Sequence, residues 1–288
     1  MNRVTGVLII EVVNSNPNGN PDQESDPRLR PDNRGMISPV SFKRKLRDLV
    51  EDKEGPVWSS VGAGELALNA EQFFVLESRG RDRKLIEAEA KDGTFQAKYW
   101  DARIFGNTFL EKEGGSAIKT GTVQFGVGVS LSPVEIERLT TTNKAGVEED
   151  KDRGMAPLAF RVVLHGVYVM PYFVNPTAAR KSGCTQQDIN LMKRLIPHAY
   201  RHTASYVRPS VNIRHAWHIE HTDPLGSCPD FSLIEAMSPR RKNPADSERP
   251  SSSWDDYAVP QLLPDNLRAR VGSIEDLINP TTDGAAGS

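Results

Sequence analysis

The chain has 288 residues, 38% hydrophobic and 26% charged, with 36 Lys+Arg against 38 Asp+Glu and a formal net charge of −2. That length suits one large globular domain or two small ones, and the two cysteines, Cys184 and Cys228, exclude a disulfide framework. No apolar run approaches the length of a membrane span, so the expected compartment is the cytoplasm.

The first element is a strand over residues 4 to 13, β-branched and apolar with little alternation, as in a strand covered on both faces. A loop rich in Asn, Pro and Gly follows, and Ser38-Pro39 then provides an N-cap hydroxyl and a proline at the first helical position. Phe42, Leu46, Leu49 and Val50 recur at helical spacing, which predicts one packed face with Lys43, Arg44 and Arg47 projecting from the others, and an end near Glu54-Gly55. Residues 64 to 90 read as helical, charged and Gly-interrupted, more an insertion than a core element. "TGTVQFGVGVSL" alternates Val123, Phe125, Val127 and Val129 as a half-buried strand. Residues 140 to 158 read as a protruding hairpin or long loop before a strand over 159 to 173. Ile189, Met192, Leu195 and Ile196 share a helical face, and "SVNIRHAWHIEH" is strand-like. This order predicts an α+β fold: antiparallel strands with helices on one face, close to a ferredoxin-like unit with large insertions.

Charge is unevenly spread. Residues 28 to 47 hold seven Lys or Arg and one acid, and residues 193 to 215 hold Lys193, Arg194, Arg201, Arg208 and Arg214 with no acid, interleaved with Tyr200 and Tyr206. Such patches suit a phosphate backbone, and a solvated face is the plainer alternative. From Asp246 onward, eight acids face three arginines.

The phosphate-loop, zinc-protease, nucleophile-elbow and dinucleotide signatures are missing from the chain. "DQESDP" has calcium-loop spacing at Asp22, Glu24 and Asp26, but Pro27 and Asn33 stand where a glycine and a bidentate Glu are needed. His215 and His221 face opposite to His218 along a strand, so the three do not converge on one ion; the expectation is that Trp217 and Ile219 fill core or interface while the histidines line a surface. The expected cofactor and metal are therefore none. The remaining reading of the Asn-rich loop and basic helix is phosphate binding: Lys43 and Arg47 stack at i and i+4 near a helix N-terminus, and Asn14, Asn16 and Asn18 offer amides to sugar or base edges.

The runs "NSNPNGNPD", "RGMISPVSFKRKLRD", "WDARIFG", "TGTVQFGVGVSLSPVEI" and "HGVYVMPYF" together resemble the Cas-seven (Cas7) family of CRISPR systems, most closely its subtype I-C branch, the Cascade backbone subunit. "GCTQQDINLMKRL" and "HTDPLGSCPDFSLIEAM" are similar to later family segments, whereas "YRHTASYVRP" departs from the family's run there. The resemblance implies a modified RRM-like palm over residues 1–237, with fingers at about 52–98 and a β-hairpin thumb at about 140–158, and leaves 238–288 as an acidic, Ser/Pro-rich, partly irregular segment. It implies a non-catalytic subunit that oligomerises along CRISPR RNA and presents it to target DNA, beside partners of the Cas-five and Cas-eight families. RNA-binding residues are expected at Asn14, Asn16, Asn18, Arg34, Ser41, Lys43, Arg44, Arg47, Arg103, Lys144, Lys151, Arg153, Met155, Arg201 and Arg208, with Met155 or Pro157 as the thumb's apolar wedge. The alternative is a metal-dependent ribonuclease using Asp22, Asp26 or Asp32, as in type III backbone subunits.

Overall fold

The computed structural model describes residues 1–23, 25–78, 80, 82–107, 120–143 and 156–280, the side chains of 141–143 and 156–158 excepted. Lys144, Lys151, Arg153 and Met155 lie outside the described residues, as does the side chain of Pro157. The chain runs through β1 (Val4–Ser15), the short strands β2 (Gly19–Asn20) and β3 (Asp26–Pro27), β4 (Arg34–Ile37) and α1 (Pro39–Glu51). A π-helical turn (Trp58–Glu65) and a 3-10 turn (Ala70–Gln72) lead to α2 (Arg83–Asp92), α3 (Thr94–Lys98) and α4 (Trp100–Phe105). Then come β5 (Val123–Phe125), β6 (Gly128–Pro133), β7 (Ile136–Asn143), β8 (Ala156–Val174), α5 (Pro176–Ser182), α6 (Gln186–Leu195) and β9 (Ser210–His221). The last elements are α7 (Asp230–Met237), β10 (Arg240–Arg241), β11 (Tyr257–Ala258), α8 (Asp265–Arg268) and β12 (Val271–Asp276).

The main sheet is antiparallel, in the order β12-β9-β1-β8-β6-β4, with β5 and β7 also pairing along β8. Within it, β1, α1, β6, β8, α6 and β9 form a β-α-β-β-α-β succession whose strands lie side by side as β9-β1-β8-β6. The protein is thus a mixed α+β fold on an antiparallel sheet. β1 is buried on both faces because its side chains alternate between two cores: Val4, Leu8, Ile10 and Val12 enter one, Val7 and Ile9 the other. Gly6 sits where Tyr172 crosses the strand, and a Cβ there would lie 1.9 Å from the ring.

Several expectations need correction. Helices cover both sheet faces: α1, α4 and α6 line the first core, while Leu233 and Met237 of α7 pack in the second. The segment over 64 to 90, read as an insertion, supplies Leu68, Phe73 and Val75 to the first core, because its apolar residues are too scattered in sequence to show as one stripe. α1 ends at Glu51, where Asp52 leaves helical geometry and Lys53 is drawn across to the Phe73 carbonyl at 2.7 Å and the Trp58 ring. The alternation over 123 to 129 breaks after Phe125, leaving Val127 exposed, since β5 and β6 are separate strands. Trp217 and Ile219 do fill core, but His218 and His221 are buried too, and His215 is half-buried. His218 meets the Tyr172 hydroxyl at 2.8 Å and burial pushes it down to about 3, keeping it neutral; His221 meets Thr5 at 3.0 Å; His215 donates to Asp276 at 2.8 Å. The acidic C-terminal segment, read as partly irregular, adds β12 to the sheet beside β9, and its Tyr257, Leu263 and Val271 belong to the second core.

Candidate nucleic-acid interface

At about 100° per residue, the apolar stripe of α1 centres between Phe42 and Leu46, which puts Lys45 on one flank, Lys43 and Arg47 on the other, and Arg44 opposite. The neighbours of each flank decide what its cations do. On the Arg47 flank waits α4. Arg47 is 4% exposed and its Nε donates to Asp101 at 2.9 Å, with Glu77 at 3.4 Å; Asp101 also accepts the Leu76 N–H at 2.6 Å. The expectation that Arg47 projects from the helix is therefore corrected: the side chain turns inward and its charge is paired inside the protein. Lys43 is half-buried at 5.5 Å from the Phe105 ring, and desolvation, then Arg47, lowers its pKa. Arg44 pairs with Asp48 at 2.6 Å, as its i+4 spacing predicts, and with Glu51 at 2.7 Å.

Arg103 is also paired inside the protein. It is buried, its Nε and Nη2 donate to Asp188, at 3.2 Å and 2.8 Å, and its other donors go to the carbonyls of Gln72, Gln96 and Ala97. The run "WDARIFG" is thus a structural clasp: Asp101 holds α1, and Arg103 holds Asp188, which closes the capping box of α6 with Thr185. Arg34 is likewise spent on the Ser130 and Leu131 carbonyls and on Glu248 at 3.0 Å.

The loop amides are also corrected as free readers of base edges. Asn16 Nδ2 donates to the Ser25 carbonyl at 2.7 Å and its Oδ1 accepts the Asn18 N–H at 3.1 Å. Asn18 Nδ2 donates to the Gly19 carbonyl at 2.9 Å, and its Oδ1 accepts the Ser38 N–H at 2.6 Å, tying the loop to the start of α1. Only Asn14 of the three is exposed, in the left-handed region at φ 45° that Asn tolerates.

The Lys45 flank is different, and here the two basic patches meet. The loop is pinned to the segment before β9: the Asn16 N–H donates to the Val207 carbonyl at 2.7 Å, Arg208 Nε to the Asn16 carbonyl at 3.0 Å, and the Ser210 N–H to Ser15 Oγ at 2.8 Å. Lys45 Nζ lies 5.5 Å from the Tyr200 ring and has no ion pair among the described residues. Burial, and then the neighbouring Arg208, lower it to about 8, against a weaker opposing pull from Asp48. Arg208 spends only Nε on the protein, which leaves its terminal nitrogens without an acceptor among the described residues. Ser41 stands one turn before Lys45 on the same flank, and Tyr206, 71% exposed, lies edge to face with Phe160 at 4.9 Å. Two cations in mutual repulsion, beside an exposed aromatic and a serine, make a site that an anion stabilises.

Sequence reasoning missed Lys45 because it counted the residue in the patch without asking which flank faced a carboxylate. The available signal was its position beside Leu46 at the edge of the apolar stripe. Of the expected residues, Ser41 and Arg208 lie near it. Arg201 is exposed and lies elsewhere, on the rim of a cavity that Tyr200 also lines.

A family model described as CRISPR-associated protein Cas7 matches residues 2–261. A curated CRISPR-associated protein Cas7 from Haloferax volcanii is 25% identical over 220 residues, which is 68% of this chain and 63% of that relative's length. Among solved structures, a chain of a CRISPR RNA-guided surveillance complex in a pre-nicking state aligns with a TM-score of 0.48 and 15% identity, covering 77% of this chain and 79% of that one. A chain of a Type III-B Cmr-beta complex bound to cognate target RNA aligns with a TM-score of 0.41 and 13% identity, covering 76% of this chain and 61% of that one.

Proposed function

Since the chain belongs to the family of CRISPR-associated protein Cas7, we propose that it is a non-catalytic guide-RNA-binding backbone subunit, of the type I-C branch, that stacks in copies along CRISPR RNA and presents it to target DNA. The observation that carries this reading is the pair Lys45 and Arg208, cations with no ion pair among the described residues, set between the Asn-rich loop and the basic flank of α1. A buried ammonium without a counter-ion attracts phosphate more strongly than a solvated one, because less solvent screens it. Sequence recognition would then reside in base pairing with the guide, while the protein holds backbone. The strand order β9-β1-β8-β6 supports a modified RRM-like palm, one face of which is occupied by α7 and the C-terminal segment. In this reading the hairpin of β7 and β8 is the base of the thumb, residues 52–98 are the fingers, and subunits of the Cas-five and Cas-eight families cap the assembly.

The ribonuclease alternative finds less support in the loop aspartates. Asp26 pairs with Arg161, and Asp32 lies 3.6 Å from Arg30 and 3.5 Å from Arg34, so of the three only the exposed Asp22 has no ion pair among the described residues, and one carboxylate alone is a poor metal site.

The test is mass in solution with and without guide RNA. We expect RNA-dependent assemblies whose mass increases with guide length, and no cleavage of complementary RNA when divalent metal is added. A chain whose mass ignores RNA would overturn the reading, and regular cleavage lost in Asp26→Ala would replace it with the ribonuclease.

A further inference from the structure

Beyond the guide site, β9 and the C-terminal segment enclose a cavity of about 380 Å³ whose lining includes Tyr200, Arg201, Asn212, Arg214, His215 and Trp254. No carboxylate lines it, although the segment that supplies Trp254 is acidic. The volume falls in the range of ligand sites, and the side chains are two guanidinium groups, amides and aromatic rings.

The aromatic part is built before any ligand arrives. His215 stacks against Trp217 at 5.4 Å with an interplanar angle of 4°, and against Trp254 at 6.2 Å and 25°. Asp276 fixes the imidazole by accepting from Nδ1, and is itself held by the Ala216 N–H at 2.9 Å and by Asn279 at 3.0 Å. Arg214 lies over Trp254 at 4.7 Å and its Nε pairs with Glu11 at 3.3 Å, so part of its charge is already met within the protein. Behind His215 a second cavity of about 570 Å³ adjoins, sharing His215 and Asn279. It is lined by Trp217, whose buried indole N–H has no acceptor among the described residues.

The geometry points to a nucleotide site: a base, unstacked from a single strand, lies against Trp254 and His215 while its phosphate meets Arg201 and Arg214. Aromatic faces accept any base, and the guanidinium groups supply the charge that a strand's backbone requires. Arg201, on the rim, thus serves this cavity and not the Lys45 site. The strand is either the guide itself or a DNA strand that does not occupy the guide site, since both present the same chemistry.

Photocrosslinking separates the sources. In one arm the full chain assembles on a guide RNA carrying 4-thiouridine; in the other, chain already loaded with unmodified guide receives a single-stranded DNA octamer carrying 5-iodo-deoxyuridine, and adducts are mapped by mass spectrometry. We expect an adduct on the peptide containing Trp254 or on that containing His215 in one arm, which names the strand. In that arm Trp254→Ala should weaken binding roughly 5- to 150-fold, with Trp254→Tyr recovering much of the loss. Arg201→Ala changes an exposed side chain and should lower the salt slope by about 0.7 without shifting the melting temperature. Adducts confined to other peptides in both arms, or unchanged affinity in both Trp254→Ala and Arg201→Ala, would overturn the site. Assembly on the guide can succeed while these tests fail, so the two readings fall separately.

Discussion

The two flanks of α1 carry the same kinds of side chain and meet opposite fates. Lys43 and Arg47 face α4, where Asp101 and Glu77 take up the charge of Arg47. Lys45 faces Tyr200 and Arg208 and has no ion pair among the described residues, only a weaker pull from Asp48. The lesson is that a basic helix does not name its own function. A cation met by a buried carboxylate fixes the fold, and a desolvated cation held beside another cation is kept for something that arrives later.

The widest gap between the flanks should appear in stability. Arg47→Ala leaves Asp101 buried and unpaired, so we expect a loss of about 3–5 kcal/mol in chemical denaturation, with RNA affinity per folded molecule little changed. A mild effect on stability with a large loss of RNA binding would reverse the assignment of the flanks.

Lys45→Met is the mirror experiment. It removes one phosphate contact per subunit, so the salt slope of single-strand RNA binding should fall by about 0.7, while the melting temperature of the RNA-free chain holds or rises because a buried cation has been replaced by an apolar side chain. A sequence-selective loss of affinity, or a marked fall in melting temperature, would place Lys45 with the structural cations.

Proton linkage sharpens the same contrast. Lys45 is lowered to about 8 from its ordinary 10.5, so between those values the unfolded chain binds more protons than the folded one. Stability of the RNA-free protein should therefore rise with pH through that window, the penalty being fully present below it, whereas RNA affinity should fall as pH rises through about 8 and the ammonium is lost. Lys53 also lies at about 8, so the measurement is the difference between the native chain and Lys45→Met. Parallel pH curves for the two proteins would remove Lys45 from the account.

The smallest effect belongs to the outward face. Arg44→Ala breaks ion pairs with Asp48 and Glu51 that are partly exposed, so it should cost less than about 1 kcal/mol and leave the salt slope alone. A change in slope equal to that of Lys45→Met would mean that the exposed face also holds phosphate.

Much of this molecule is written locally. The unbroken apolar run of β1, the Ser38 cap with Pro39 and the stripe of α6 are consequences of near neighbours, and the sequence by itself determined them because strand and helix periodicities act within a few residues. The same range fixed which three directions the cations of α1 take. What waits in each direction was decided by the tertiary structure alone. Arg47 finds Asp101 54 positions later and Arg103 finds Asp188 85 positions later, across contacts that no periodicity encodes. Asn16 and Asn18, expected to read nucleotides, spend their amides on the loop itself, and the acidic end of the chain, read as partly irregular, supplies an edge strand and the Trp254 wall. A charge's meaning depends on the sign and distance of its neighbours, and those are set only when the chain closes on itself.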